Sequence, residues 1–182
     1  MDILFIHVFQ AAARRFLSRR PIRTALGSTL YRTGVKTMRL TTYTDYALRV
    51  LIYLGLKGDK LATIREIAER FQISKNHLMK IVHNLGKDGY IETIRGRHGG
   101  LRLARPPKAI NIGEITRRYE EDLRIVECFD RKSNTCLIAG SCGLASHLDE
   151  ALKAFLSVLD AKTLADILKG SPGLRQQLLG AN

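Results

Sequence analysis

The fold is decided by residues 63–103, TIREIAERFQISKNHLMKIVHNLGKDGYIETIRGRHGGLRL. Thr63 and Glu66 have the spacing of a capping box, which predicts that a helix starts here, and apolar residues then recur every three or four positions. Ser74 follows a short turn and is a favourable cap for a second helix. The stretch therefore predicts two helices joined by a tight turn, with this helix-turn-helix over about residues 64–87.

A small hairpin is predicted directly after the second helix. Residues 90–94 alternate in the manner of a strand, residues 95–100 are basic and glycine-rich, and residues 101–103 suit a return strand. This hairpin would form a wing over about residues 90–103. A helix pair whose second helix opens with polar and basic groups fits the DNA major groove, so the sequence predicts a winged helix-turn-helix DNA-binding domain.

The second helix and the wing supply the side chains that are expected to contact DNA. The predicted DNA-binding residues are Ser74, Lys75, Asn76, His77, Lys80, Arg95, Arg97 and His98. The polar residues of the helix are expected to reach base edges, and its lysines are expected to contact phosphates. The wing residues are expected to lie on phosphate or in the neighbouring minor groove.

The charge of the chain favours a nucleic-acid partner. The formal net charge is +13, from 30 basic and 17 acidic residues, and a basic excess remains when residues 1–37 are left out. Such a charge attracts polyanions, first nucleic acid and second an anionic membrane surface. The sequence contains no nucleophile–base set, no paired carboxylates in a plausible pocket and no phosphate-binding loop, so an enzyme is not expected.

The chain is predicted to have an extension and two structured segments. Residues 1–37 are arginine-rich and poor in acids, and their apolar run is shorter than the ~20 residues that span a bilayer. They are interpreted as a disordered extension, or as an over-extended reading frame whose true start is Met38, with an organellar transit peptide as the alternative. Residues 38–106 are predicted to be the DNA-binding domain, whose first helix opens at Thr44 or Asp45.

Residues 107–182 are predicted to hold a cysteine-bearing loop between helical parts. Helices are predicted over residues 112–119, 144–159 and 163–168. The long helix 144–159 has an apolar stripe that predicts either pairing with its copy in a second subunit or packing on its own domain. Residues 120–122 are predicted to be a solvated acidic patch, and a loose tail is predicted from Lys169. The fold class is therefore mainly α, a winged helix-turn-helix domain followed by a cysteine-bearing loop and a long dimerisation helix.

Three cysteines, Cys128, Cys136 and Cys142, lie in this loop. Their odd number favours a reduced, cytosolic setting over a disulfide scaffold. Three thiolates in a polar loop can converge on an Fe–S cluster that needs one further ligand, or on zinc with His147 as the fourth ligand. The spacing lacks the C-x2-C knuckles common in zinc sites, which disfavours zinc. Unligated redox thiols and structural cysteines are the remaining alternatives.

Several motifs together resemble the NsrR regulators, which are nitric-oxide-sensing bacterial repressors in the winged-helix family that also contains the iron–sulfur regulator IscR. The motifs are MRLTTYTDYALR at residues 38–49, SKNHLMK at 74–80, RGRHGGLRL at 95–103 and the three cysteines. The resemblance covers almost all of residues 38–182. The IscR type has a histidine three positions after its third cysteine, where this chain has Ala145, so the resemblance to NsrR is the better one.

The resemblance implies a homodimer in the bacterial cytoplasm that binds a palindromic DNA operator while a [2Fe–2S] or [4Fe–4S] cluster is intact. Nitric oxide damages the cluster, the dimer releases the operator, and nitrosative-stress genes are expressed. The implied ligands are Cys128, Cys136, Cys142 and a carboxylate supplied by Asp45 of the partner subunit, with Arg49 beside it. The gap of seven residues between the first two cysteines is longer than is usual in NsrR. The alternative is a zinc- or thiol-based redox-sensing winged-helix regulator.

Overall fold

The computed structural model describes residues 39–171 and 173–180, and the predicted extension at residues 1–37 lies outside them. The first helix, α1 (Thr42–Lys57), supplies the centre of the core, where Val50, Leu51 and Leu54 are fully buried. The predicted helix start at Thr44 or Asp45 is wrong. The helix opens earlier because the Thr41 hydroxyl caps it and accepts a hydrogen bond from the Thr44 N–H at 3.3 Å.

The predicted helix-turn-helix is confirmed as α2 (Ile64–Phe71) and α3 (Lys75–Lys87). Thr63 and Glu66 form the reciprocal capping box, so the local sequence fixes where α2 begins. α3 ends at Lys87, in agreement with the predicted end of the helix-turn-helix at about residue 87. Ile67 and Leu78 lie in the same buried cluster as the α1 core residues, and α3 packs against both α1 and α2.

The wing is an antiparallel pair of strands, β1 (Ile91–Ile94) and β2 (Gly100–Leu103), with Ile91 opposite Leu103. Ala62, just before α2, exchanges backbone hydrogen bonds of 3.0 and 2.8 Å with Leu101. The wing is therefore bonded to the start of the helix-turn-helix and keeps a fixed position beside it.

The described residues of the C-terminal half, 107–171 and 173–180, form four helices and two short 3-10 turns. The turns are Pro107–Ala109 and Glu127–Phe129, and the helices are α4 (Ile112–Tyr119), α5 (Gly143–Asp160), α6 (Leu164–Lys169) and α7 (Leu174–Leu179). The predictions of α4 and α5 are confirmed, and α6 ends within one residue of its prediction. The predicted loose tail from Lys169 is wrong in part, because α7 packs Leu178 and Leu179 against the core.

One buried core includes residues from both halves, since Ile110, Ile115 and Leu164 lie in the same cluster as the α1 side chains. The backbone of Ile110 and Ile112 is hydrogen-bonded to Leu164 and Lys162 at 2.8 and 2.9 Å. Within the described residues, no helix is long and apolar enough to cross a bilayer. Because of the shared core and these backbone bonds, the elements before and after the cysteine loop are anchored to the half that contains the helix-turn-helix.

The capping box also predicts how acid affects stability. The Glu66 carboxylate accepts hydrogen bonds from Lys57 (2.7 Å) and the Tyr53 hydroxyl (2.6 Å). Burial alone would raise the pKa of Glu66, but the bonds from Lys57 and Tyr53 outweigh it and lower the pKa below its ordinary value. A lowered pKa stabilises the fold above the ordinary pKa, and this stabilisation is lost as the pH falls through the folded value.

We therefore expect Glu66→Gln to reduce the acid sensitivity of the fold. Urea unfolding at about pH 6 and about pH 3.5 should show a smaller difference in the free energy of unfolding for the variant than for the wild type. Glu69→Gln, at an exposed position on the same helix, is the control and should keep the wild-type difference. An equal pH dependence in the wild type and Glu66→Gln would contradict this expectation.

Candidate nucleic-acid interface and cysteine loop

The N-terminal part of α3 presents the predicted helix residues to solvent. Ser74 is the N-cap, and its hydroxyl accepts a hydrogen bond from the His77 N–H at 3.4 Å. Lys75, Asn76, His77 and Lys80 are all exposed, and in the described part of the chain their side chains form no hydrogen bond or ion pair. They are free to contact a partner, whereas Leu78 and Ile81 on the same helix are buried. The helix thus has one face in the core and one polar, basic face outside.

The wing tip exposes Arg95, Arg97 and His98. The chain turns tightly here: Gly96 has φ of +113°, and a Cβ on Gly99 would lie 2.2 Å from the Ile94 carbonyl oxygen. Only glycine fits such a turn without displacement of the backbone. The two glycines therefore keep the tip narrow while the basic side chains project from it.

The helix-turn-helix and the wing meet at a shared groove of about 390 Å³. It is lined by Thr63, Ile64, Arg65, Lys75, Thr93, Gly99, Gly100 and Leu101. Among the residues that the structure describes, two basic side chains and no acidic one line it, so the groove suits a phosphate backbone. Sequence reasoning missed Arg65. Its position in the first turn after the capping box is the signal that would have placed it at this surface.

The C-terminal end of α3 is bonded to α4. Asp88, the C-cap of α3, accepts hydrogen bonds from Arg118 (2.6 Å) and from the Tyr119 hydroxyl (2.8 Å). The bond from Arg118 lowers the pKa of Asp88 in spite of the opposing effect of burial. Burial, together with the Asp88 carboxylate, raises the pKa of Tyr119. At neutral pH this contact is therefore a carboxylate bound by a phenol and a guanidinium.

Glu120 departs from the predicted solvated acidic patch at residues 120–122. Its carboxylate accepts hydrogen bonds from the Thr41 backbone N–H (3.0 Å) and the Thr44 hydroxyl (2.7 Å). These are the first groups of α1, where a negative charge is favourable because the helix dipole is positive. The prediction is wrong for Glu120, since it joins the end of α4 to the start of α1.

The loop that carries the cysteines is held by local bonds. Cys128 lies in the second 3-10 turn, the Cys136 N–H donates to Asn134 at 3.0 Å, and Cys142 immediately precedes α5. All three thiols are unpaired and partly exposed. Among the described residues, however, no group of three or more His, Cys, Asp or Glu side chains is gathered as a metal site.

Asp45, the implied carboxylate ligand, lies in the first turn of α1 and is 42% exposed. It accepts hydrogen bonds from Arg49 at 3.0 and 2.6 Å, a two-point ion pair one helical turn apart. The guanidinium of Arg49 also lies 5.5 Å from the centre of the Tyr46 ring. In the single chain, Asp45 is therefore paired with Arg49 and is not grouped with the cysteines.

Helix α5 leaves an apolar stripe uncovered. Leu144, Phe155 and Val158 are 62%, 45% and 64% exposed, and none of the residues of α5 is fully buried. Leu144, Leu148, Ala151, Phe155 and Val158 are spaced by four and three residues in turn, which is the pattern of a coiled-coil seam. The adjacent, half-buried side of the helix, about a quarter turn away, faces its own chain, where Leu159 packs against the core.

Known proteins match the chain over most of its length. The sequence pattern of the Rrf2 family, described as an iron-dependent transcriptional regulator, matches residues 40–170. The chain is 53% identical over 142 residues to the HTH-type transcriptional regulator NsrR of Bacillus subtilis, which covers 78% of this chain and 97% of that protein. The protein of the same name from Bacillus licheniformis is 51% identical and is covered to 99%.

Solved structures agree with this match. IscR of T. potens superposes with a TM-score of 0.59 at 28% identity, covering 74% of this chain and 88% of that one. The global cysteine regulator CymR of B. subtilis superposes with a TM-score of 0.56 at 28% identity, covering 74% and 98%. These relatives confirm the winged-helix fold class and the prediction that the chain is not an enzyme. The chain belongs to the Rrf2 family of transcriptional regulators.

Proposed function

We propose that this protein is a nitric-oxide-sensitive transcriptional repressor. In this account, a dimer that holds an iron–sulfur cluster binds a palindromic operator in the bacterial cytoplasm, and nitric oxide damage to the cluster releases the DNA and derepresses nitrosative-stress genes. One observation carries the proposal. A basic helix-turn-helix and wing and a loop with three unpaired thiols occur in one chain that is about half identical to NsrR regulators.

The DNA-binding part of the proposal rests on the free basic face. Lys75 and Lys80, with the arginines of the wing, would contact phosphates, while Asn76 and His77 would reach base edges in the major groove. A palindromic operator needs two such faces about 34 Å apart, one on each subunit. The spacing between the two copies of α3 therefore determines whether both half-sites can be bound together.

The dimer would form through the exposed stripe of α5. A soluble chain seldom leaves large apolar side chains such as Leu144 and Val158 in one continuous exposed line, because burying them removes apolar area from water. The four-and-three spacing lets the same stripe of a second copy interdigitate with it. A symmetric contact of this type places each residue against the stripe of the partner.

The donor set of the loop fits an iron–sulfur cluster. Cys128, Cys136 and Cys142 provide three unpaired, partly exposed thiols, and such clusters are held mainly by cysteine thiolates. Asp45 of the partner subunit would supply the fourth ligand, and its pairing with Arg49 in the single chain would then have to be broken or shared. When bound, the cluster supplies the iron that reacts with nitric oxide.

A change at Lys80 should weaken DNA binding without altering sequence preference. We expect Lys80→Ala to lower affinity for all duplexes and to reduce the slope of log affinity against log salt by about one, because one phosphate contact is lost. Fluorescence anisotropy over a range of salt concentrations measures both quantities. Lys162→Ala, outside the helix-turn-helix and wing, is the control, and an unchanged slope for Lys80→Ala would show that this lysine does not contact phosphate.

Spectroscopy of anaerobically purified protein tests the proposed function. A brown solution with visible absorption bands, which disappear with loss of operator binding when nitric oxide is added, is the expected result. A colourless protein that contains zinc, or that changes affinity only when its thiols are oxidised, would instead support the zinc- or thiol-based regulator and contradict the proposal.

A further inference from the structure

The recognition helix α3 is bonded directly to the first turn of α1. The side-chain amide of Asn84, on α3, donates a hydrogen bond of 2.6 Å to the Tyr43 hydroxyl. Tyr43 is half-buried and lies two residues before Asp45, so it belongs to the helical turn that the proposed function connects to the cysteine loop of the partner.

A second bond holds α3 one turn further on. The Tyr43 ring packs against the Tyr119 ring, with 5.7 Å between their centres, and the Tyr119 hydroxyl donates to Asp88. Asn84 and Asp88 are four residues apart and so lie on the same side of α3. The helix is thus held by polar contacts at two successive positions, and the two tyrosines that make these contacts touch each other.

The same cluster adjoins the segment that leads to the cysteines. Glu120, next to Tyr119, binds Thr41 and Thr44 on either side of Tyr43. The chain then runs from Glu120 to Cys128 through residues 121–127. The first turn of α1 and the entry to the cysteine loop therefore meet at one place, and that place touches α3.

We propose that the Tyr43–Asn84 hydrogen bond is a positioning contact through which the state of the cysteine loop and Asp45 sets the placement of the recognition helix. This inference rests on the proposed function. Neither residue touches DNA in this account. Their effect is to fix α3 relative to the first turn of α1, so a movement of that turn is transmitted to the DNA-reading face. A hydrogen bond that is present in the cluster-loaded form and weakened in the cluster-free form would increase the difference in DNA affinity between the two forms.

Tyr43→Phe tests the proposal because it removes the hydroxyl and keeps the ring against Tyr119. The measured quantity is the ratio of affinities of the cluster-loaded and cluster-free protein for a palindromic duplex selected from a random library. We expect the ratio to fall about fivefold, the usual worth of one such hydrogen bond, while the visible spectrum and the iron content stay unchanged. Tyr46→Phe is the matched control, since the Tyr46 hydroxyl has no hydrogen-bond partner among the described residues.

A purely structural role would weaken both forms equally and leave the ratio unchanged, which would overturn the proposal. Tyr43→Phe and Asn84→Ala should also be non-additive, because both remove the same bond. In the cluster-loaded protein, Tyr43→Phe should speed amide hydrogen exchange at residues 84–88, and in the cluster-free protein, where the bond is already weakened, it should change this exchange little. A wild-type ratio of one would instead contradict the proposed function itself, and the inference with it, so the two failures are distinguishable.

Discussion

Cys136→Ala is expected to abolish cluster-dependent DNA binding. Cys136 lies in the middle of the loop, its thiol is unpaired, and within the described residues only local bonds such as the one from its N–H to Asn134 hold its segment in place. Removal of this thiolate leaves two cysteines on the chain, which are too few for the proposed ligand set. We expect the purified variant to be colourless and its operator affinity to fall about 10- to 100-fold, to the level of cluster-free wild type.

Ser141→Ala is the matched control for this variant. Ser141 lies in the same loop beside Cys142, is exposed, and its side chain has no hydrogen-bond partner in the part of the chain that the structure describes. It should keep both the colour and the affinity of the wild type. If Cys136→Ala bound the operator as tightly as the wild type, the thiols would not control DNA binding and the proposed switch would be wrong.

A second large effect is expected from charges on the exposed stripe of α5. Phe155→Glu combined with Val158→Glu places two carboxylates in the proposed seam, where burial in a dimer would be very costly. We expect sedimentation analysis to show a monomer. Because two linked DNA-reading faces gain avidity over one, operator affinity should fall about 100-fold or more.

The control for the dimer prediction places the same charges on the other side of the helix. Ser146→Glu with Ser157→Glu adds two carboxylates to exposed positions about half a turn away from the stripe. This variant should remain dimeric and bind DNA normally. A Phe155→Glu, Val158→Glu protein that stayed dimeric would show that the stripe is not the interface, and the apolar residues would then need another partner.

The fold was predictable where the signals are local. The capping box at Thr63, the cap at Ser74 and the Asn111 cap of α4 each act over three residues, so the sequence marks where these helices begin. The sequence also predicts α5, because its apolar residues recur at helical spacing over several turns. The short α7 was missed because six residues give too little periodicity to distinguish a helix from a tail.

The polar contacts that support the candidate site were less predictable. Glu120 bonds to Thr44, 76 positions earlier in the chain, and Asn84 bonds to Tyr43 across 41 positions. No spacing rule connects such residues, because tertiary packing alone brings them together. The exposed residues that are predicted to contact DNA lie in one contiguous motif, whereas the residues that hold that motif in place are scattered along the chain.

The proposed switch is tested most directly by comparing the DNA affinities of the cluster-loaded and the cluster-free forms of one protein sample. Anaerobic anisotropy titrations of the selected palindromic duplex should be made with the cluster-loaded dimer, and again after its iron has been removed by a chelator. The account predicts that the loaded form binds about 10- to 100-fold more tightly, the range of a typical allosteric coupling. Equal affinities for the two forms would contradict it.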